Sequence, residues 1–266
     1  MAGFLEGVTM IRVVVSGTGQ MGELVRATIE AQDDMEVTGL IEPLGARGEN
    51  PRYPVSDDPA ALFASARPDV VIDFTNAAFT ARLIDAALAA GVRPVIGTSG
   101  VPADATERLR EGSAQAQLGA LIAPNFALGA VALMHLADIA ARFFDSAEVI
   151  ELHHDKKVDA PSGTALETAR RMRAVRGSDF AHNEPSLEHV PGARGAAEGG
   201  VGLHSVRLPG FVAHQEVIFG GQGQTLTLRH DSTGRDSFMP GVLLATRAVM
   251  DLKGLVVGLG NLIGLP

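Results

Sequence analysis

One fifteen-residue segment concentrates the polar chemistry of this sequence: Glu151-Leu152-His153-His154-Asp155-Lys156-Lys157-Val158-Asp159-Ala160-Pro161-Ser162-Gly163-Thr164-Ala165. Two histidines end a predicted strand, and histidine can supply a proton near neutral pH. Lys157 brings a positive charge that can meet an anion or stabilise developing negative charge. Ser162-Gly163-Thr164 opens a predicted helix, whose first N–H groups and hydroxyls suit a carboxylate. Taken singly, each feature has a plainer reading: Ser162 or Thr164 as an N-cap, Asp155-Lys156-Lys157 as a solvated turn, the histidine pair as structural. Zinc is disfavoured and no metal is expected, because adjacent histidines alternate faces of a strand and no third ligand stands nearby. Their concentration in one loop favours a substrate site.

A second motif has the form of a phosphate-binding turn. Gly17-Thr18-Gly19-Gln20-Met21-Gly22 matches G-x-G-x-x-G. It follows the β-branched run Ile11-Arg12-Val13-Val14-Val15 and opens a helix, the context that gives the motif meaning. The first glycine permits the tight turn, the second lets backbone approach a pyrophosphate, and the third lets helix pack on strand. Glu42 lies twenty residues after Gly22, at the end of the next predicted strand. An acid there accepts hydrogen bonds from the adenosine ribose and repels a 2′-phosphate. Pro43 follows it with no adjacent arginine, although Arg47 is close along the chain. The charges point to NADH over NADPH. The alternative is a strand-to-helix turn with no nucleotide.

Composition bounds the rest. The chain has 266 residues, enough for about two domains. It has no cysteine, which excludes a disulfide scaffold, thiolate metal sites and a cysteine nucleophile. Net charge is −9, with no Trp and one Tyr, so a nucleic-acid surface is not expected. Residues 1–10 carry one charge, Glu6, and no basic run, so no signal peptide is expected and a cytoplasmic place is. Gly112 to Ala137 carries no formal charge, but Pro124-Asn125 breaks its middle, so a buried strand, loop and helix are expected instead of a membrane span.

These motifs need elements to position them. The first part alternates strands (11–15, 36–41, 70–74, 95–96, 121–122) with helices (23–32, 77–90). That alternation predicts an α/β fold: a Rossmann-like doubly wound parallel sheet. The pattern changes near residue 130. A helix over 129–144, a strand over 148–154 and a helix over 162–175 precede a Gly-rich polar stretch, 177–202, expected as an exposed loop. Strands over 203–208, 213–219 and 225–231 then follow in quick succession, an antiparallel signature turning at Gly220-Gly221-Gln222-Gly223. A last helix near Pro240 and the run Leu255-Val256-Val257 close the chain.

The first segment resembles the signature of the 4-hydroxy-tetrahydrodipicolinate reductase (dihydrodipicolinate reductase) family, E-x-H-H-x-x-K-x-D-x-P-S-G-T-A, and meets every fixed position. Further similarities are Asp73-Phe74-Thr75, Gly97-Thr98-Ser99-Gly100, Ala123-Pro124-Asn125-Phe126, Val217 to Gly220, Arg229-His230-Asp231-Ser232, Arg235, Ser237-Phe238 and Gly241-Val242. Three departures stand out. The first turn is one residue shorter than the family's G-x-x-G-x-x-G, Ser99 replaces a threonine, and Pro43 stands where some members carry an arginine.

The resemblance implies a dinucleotide-binding domain over 1–129 plus 239–266, with an inserted α+β substrate and tetramerisation domain over 130–238. It implies NADH- or NADPH-dependent reduction of a cyclic imine dicarboxylate to tetrahydrodipicolinate, on the diaminopimelate route to lysine, by a homotetramer. His153 would be the proton donor and Lys157 the second catalytic residue. His154, Gly163 and Thr164 would contact substrate. Gly17, Thr18, Gly19, Gln20, Met21 and Glu42 would bind the cofactor, with Gly97, Thr98, Ser99, Ala123, Pro124, Asn125 and Phe126 on its nicotinamide side. Two rivals are a related nicotinamide enzyme acting on another substrate and a non-catalytic dinucleotide sensor.

Overall fold

The computed structural model describes residues 10–43 and 52–265. Contacts divide these into two units, one formed by the residues up to Phe126 with those from Phe238 onward, the other by 127–237.

The first unit is a parallel sheet. Its strands are β1 (Ile11–Ser16), β2 (Met35–Ile41), β3 (Val55–Ser56), β4 (Val70–Asp73), β5 (Arg93–Ile96), β6 (Gly119–Ile122) and β12 (Gly254–Val257), in the order β12-β6-β5-β4-β1-β2-β3. Helices α1 (Gln20–Glu30), α2 (Pro59–Ala66), α3 (Ala77–Ala90), α4 (Ala103–Gln115), α7 (Met239–Ala248) and α8 (Leu259–Leu262) complete it. The central strands β1, β4, β5 and β6 are buried on both faces, so they read as nearly continuous apolar runs. Val14, Ile41 and Val71 pack against Leu62, Phe63 and Leu83 of α2 and α3. Ile96, Ala120 and Ile122 pack against Ile84 of α3 and Leu109 of α4. The chain turns one way from β1 to β2 and the other way to β4. The β1 and β4 ends therefore form the switch point where open parallel sheets hold ligands.

The second unit is a mixed sheet: β7 (Ser146–His153), β8 (Ala196–Glu198), β9 (Val201–Arg207), β10 (Ala213–Gly221) and β11 (Gln224–Ser232), in the order β11-β10-β7-β9-β8. Helices α5 (Leu128–Ala140) and α6 (Gly163–Arg176) pack on one face. Val149, Leu203, Val217 and Phe219 meet Leu133, Ala137, Ala165 and Met172 there.

Several expectations need correction. The second sheet is not purely antiparallel, because β7 pairs in parallel with β9. The connection from β7 runs through α6, and a crossover of that kind returns a strand parallel. Consecutive β9 and β10 are consequently not neighbours, since β7 lies between them. The stretch 177–202 is not all exposed loop: Phe180 is buried, Ala196–Glu198 forms the edge strand β8, and β9 begins at Val201. Helix α5 stops at Ala140, with Phe143 exposed beyond it. Helices α2 and α4 were not anticipated, and α8 follows β12 where the chain was expected to end on a strand. The uncharged stretch 112–137 divides into the end of α4, β6, a loop and α5. Among the described residues no helix is long and apolar enough to cross a membrane.

Candidate active site

The glycine turn fits a dinucleotide. Gly17 takes φ +101°, a conformation open to glycine and costly for other residues. A Cβ at Gly22 would overlap the Gly17 carbonyl oxygen, so only glycine lets α1 start this close to β1. A Cβ at Gly19 would meet nothing within 4 Å, which leaves open space at the start of α1 for a pyrophosphate. Gln20 and Met21 belong to the first turn of α1, not to the loop. Glu42 is buried at the end of β2; its N–H donates to Ser56 O at 3.0 Å and its carboxylate accepts from the Thr18 hydroxyl. Arg47 lies outside the described residues.

The other loops at this sheet edge share one hub. Asp73, fully buried at the end of β4, accepts from the hydroxyls of Thr75 (2.7 Å), Thr80 (2.5 Å) and Thr98 (2.9 Å). Thr98 Oγ1 in turn accepts from Thr75 N–H at 3.0 Å. Gly97 lies against Phe74, whose ring a Cβ there would overlap, and Phe74 packs on Phe126 with centroids 5.5 Å apart. Ser99 and Pro124 are exposed, Asn125 is half-buried, and Ala123 and Phe126 are buried. The expected cofactor residues therefore lie at the β1, β2, β5 and β6 ends of one unit, with Asp73 at the β4 end among them. Asp73 is the residue whose organising role the motif alone did not reveal.

The second unit carries the acid–base loop. His153 ends β7 on the helix-covered face, because it sits two residues after buried Glu151. His153 Nδ1 lies 2.5 Å from Glu151 Oε2. A carboxylate only accepts, so Nδ1 carries the proton in this contact. Glu151 also accepts from Arg207 (2.7 and 2.8 Å) and from Ser162 N–H (3.2 Å). Burial pushes the Glu151 carboxyl up, but hydrogen bonds from His153, Arg207 and Ser205 outweigh it and hold it down at about 2. His154 is exposed past the strand end. Lys157 donates to Asp159 Oδ1 at 2.7 Å. Ser162 caps α6 by accepting from Ala165 N–H at 3.2 Å, and the first helical bond runs from Leu166 N–H to Ser162 O at 3.0 Å. The Gly163 and Thr164 N–H groups precede that bond, at the positive end of a fourteen-residue helix. Glu151 opens the signature segment without an assigned role, and Arg207 lies outside every motif. A buried acid two residues before a histidine on one strand was the available signal. Among the described residues no group of three metal-ligating side chains comes together.

A glycine turn at the switch point of a parallel sheet in one unit, with an acid–base loop in the other, defines a nicotinamide-dependent oxidoreductase. The comparisons narrow that class. The profile described as "Dihydrodipicolinate reductase, N-terminus" matches residues 11–126, and "Dihydrodipicolinate reductase, C-terminus" matches 129–263. The chain therefore belongs to the 4-hydroxy-tetrahydrodipicolinate reductase family. A 4-hydroxy-tetrahydrodipicolinate reductase from Moorella thermoacetica is 50% identical, over 96% of this chain and 99% of its own. The structure of a dipicolinate-bound dihydrodipicolinate reductase from Paenisporosarcina sp. TG-14 matches with TM-score 0.88 at 40% identity, covering 95% of this chain and 99% of that one. An amine dehydrogenase from Mycobacterium smegmatis, at 16% identity and TM-score 0.62 over 92% and 94% of the two chains, shares the fold alone. The chain is an NAD(P)H-dependent oxidoreductase. It reduces 4-hydroxy-tetrahydrodipicolinate to tetrahydrodipicolinate in the diaminopimelate pathway of lysine biosynthesis.

Proposed function

We propose that His153 and Lys157 carry the acid and electrostatic steps of this reduction. The observation that carries the reading is the Glu151–His153 contact, which engages Nδ1 and leaves Nε2 as the nitrogen able to pass a proton. The 4-hydroxyl of the substrate leaves as water to give the conjugated imine; a bound reduced nicotinamide would supply a hydride to it, and electron density would move toward the ring nitrogen. Lys157 stabilises the charge developing there. His153 then protonates the enamine at carbon. His154 and the N–H groups of Gly163 and Thr164 hold the substrate carboxylates.

The cofactor lies on the other unit in this reading. Gly17, Thr18, Gly19, Gln20 and Met21 hold the pyrophosphate. Gly97, Thr98, Ser99, Ala123, Pro124, Asn125 and Phe126 line the nicotinamide side. Glu42, fixed by Thr18, accepts from the ribose hydroxyls and disfavours a 2′-phosphate, so NADH is preferred over NADPH. Residues 1–129 with 239–266 form the dinucleotide domain, and 130–238 the substrate and tetramerisation domain. The sheet face away from α5 and α6 carries Ile150, Leu152, Val206 and Ile218, each only half-buried, which supports a homotetramer assembled through that face. The absence of cysteine and the biosynthetic role support a cytoplasmic enzyme.

The test follows the absorbance of reduced nicotinamide with substrate generated in situ by a synthase, using NADH and then NADPH, for the wild type and for His153→Gln and Lys157→Ala. Loss of turnover with cofactor binding intact is expected in both variants. Wild-type turnover in either removes that residue from the chemistry. Light scattering on the eluted protein checks the tetramer.

A further inference from the structure

We infer that Glu151 and Arg207 form a buried clamp that positions His153 for the reaction; this rests on His153 being the acid proposed above. The Glu151 side chain is 1% exposed, and the Arg207 side chain 19%. Strand β9 runs parallel beside β7, with Ser205 opposite Glu151 and Arg207 opposite His153. Both oxygens of Glu151 are consumed by donors. Oε2 takes His153 Nδ1 and one Arg207 nitrogen, at 2.5 and 2.8 Å; Oε1 takes the other Arg207 nitrogen and Ser162 N–H, at 2.7 and 3.2 Å. Ser205 bonds to the same carboxylate, and only a carboxylate can serve all these donors at once; an amide would turn its own N–H₂ against some of them. The planar guanidinium matches the carboxylate in the two-pronged geometry that lysine cannot reproduce.

The clamp fixes three things. It holds the imidazole by Nδ1, so that Nε2 is the nitrogen presented for proton transfer. Through Ser162 N–H it ties the end of β7 to the start of α6. Through Arg207, which also donates to Asp159 O at 2.7 Å, it anchors the loop whose Asp159 carboxylate holds Lys157. Glu151 and Arg207 touch no reacting atom in this scheme; they act through His153 and the loop.

The test is a double-mutant cycle in the full-length enzyme. Glu151→Gln is expected to lower kcat about 10²-fold, within the range that general acid catalysis supplies, with KM little changed. On a His153→Gln background the same substitution should cost less than about twofold, because residues acting as a unit are not additive. The hydrogen-bonded His153 Nδ1 proton should be visible by NMR in the wild type and shifted or lost in Glu151→Gln. Additive losses, or an unmoved Nδ1 proton, would overturn the clamp. Arg207→Lys keeps the charge but not the fork and carries the same cycle if Glu151→Gln does not fold. If neither folds, the pair is structural and the assignment fails. Full turnover in His153→Gln would sink the acid role itself, whereas a slow His153→Gln with a fast Glu151→Gln would sink only the clamp.

Discussion

Lys157 Nζ donates to Asp159 Oδ1 at 2.7 Å, so the loop's candidate catalytic cation is held by a carboxylate two residues away. The Lys157 side chain is 20% exposed and that of Asp159 53%. The ammonium beside it holds the Asp159 carboxyl below the usual carboxylate range. A single ion pair whose carboxylate is exposed is worth little to stability, so a dianionic ligand can draw Lys157 away from Asp159 cheaply. In the proposed mechanism, removing the ammonium removes charge stabilisation at the reacting ring while leaving the other unit intact. Lys157→Ala should lower kcat by about 10²-fold or more. The Kd for NADH, read by fluorescence titration, should not move. A weakened NADH affinity of similar size would mean that Lys157 serves the cofactor instead.

The Glu151 carboxyl makes stability depend on pH with a definite sign. Its pKa falls from the usual 4.5 to about 2 on folding, despite burial, because His153, Arg207 and Ser205 bond to the charged form. A depressed carboxyl stabilises the fold fully above its unfolded pKa, and that contribution is lost as pH falls toward the folded value. The amount is on the order of 3 kcal/mol. The wild type should therefore melt higher than Glu151→Gln near pH 6, and the gap should narrow between pH 5 and pH 2. A gap that stays constant over that window would show that the carboxyl is not held ionised by these partners.

The sequence was most informative where local chemistry and tertiary role coincide. The G-x-G-x-x-G turn, the runs that became β1 and β4, and helix α3, which spans 77–90 as expected, all satisfy propensity and burial together. The polar loop from His153 to Thr164 was legible because its residue types are costly to gather without use. Other features were hidden for identifiable reasons. Helix α2 is announced by Asp58-Pro59, where the Asp58 carboxylate caps Ala60 and Ala61, a signal easily mistaken for a turn. Helix α4 buries only Ala105, Leu109 and Ser113, a stripe too small and partly polar to stand out. The place of β7 between β9 and β10 depends on pairing across distant segments, which alternation within each strand cannot reveal. The role of Arg207 is legible only once that register is known.

Gly97 tests how tightly the nicotinamide-side loops are built. A Cβ there would sit within the Phe74 ring, which is already packed on Phe126. Gly97→Ala must therefore displace an aromatic side chain and the turn after β5. Overpacking of this kind costs about 1–3 kcal/mol. A lower Tm and a weaker Kd for NADH are expected together, with the second unit's His153 Nδ1 proton unchanged by NMR. A variant with wild-type Tm and NADH affinity would show that this corner yields freely.

Glu42 decides the cofactor in our reading, and its geometry makes the choice testable. It is buried, its backbone is fixed to Ser56, and its carboxylate is engaged by the Thr18 hydroxyl. A carboxylate held this way cannot swing aside for a second anion, so a 2′-phosphate would meet an unrelieved like charge. Glu42→Ala removes both the ribose acceptor and the repulsion. kcat/KM for NADH should fall and that for NADPH should hold or rise, moving their ratio by about tenfold or more. Glu42→Gln separates the two effects, because it keeps a hydrogen-bonding group and removes the charge. If charge governs the choice, Glu42→Gln should move the ratio nearly as far as Glu42→Ala; if neither variant moves it, cofactor selection lies elsewhere in the chain.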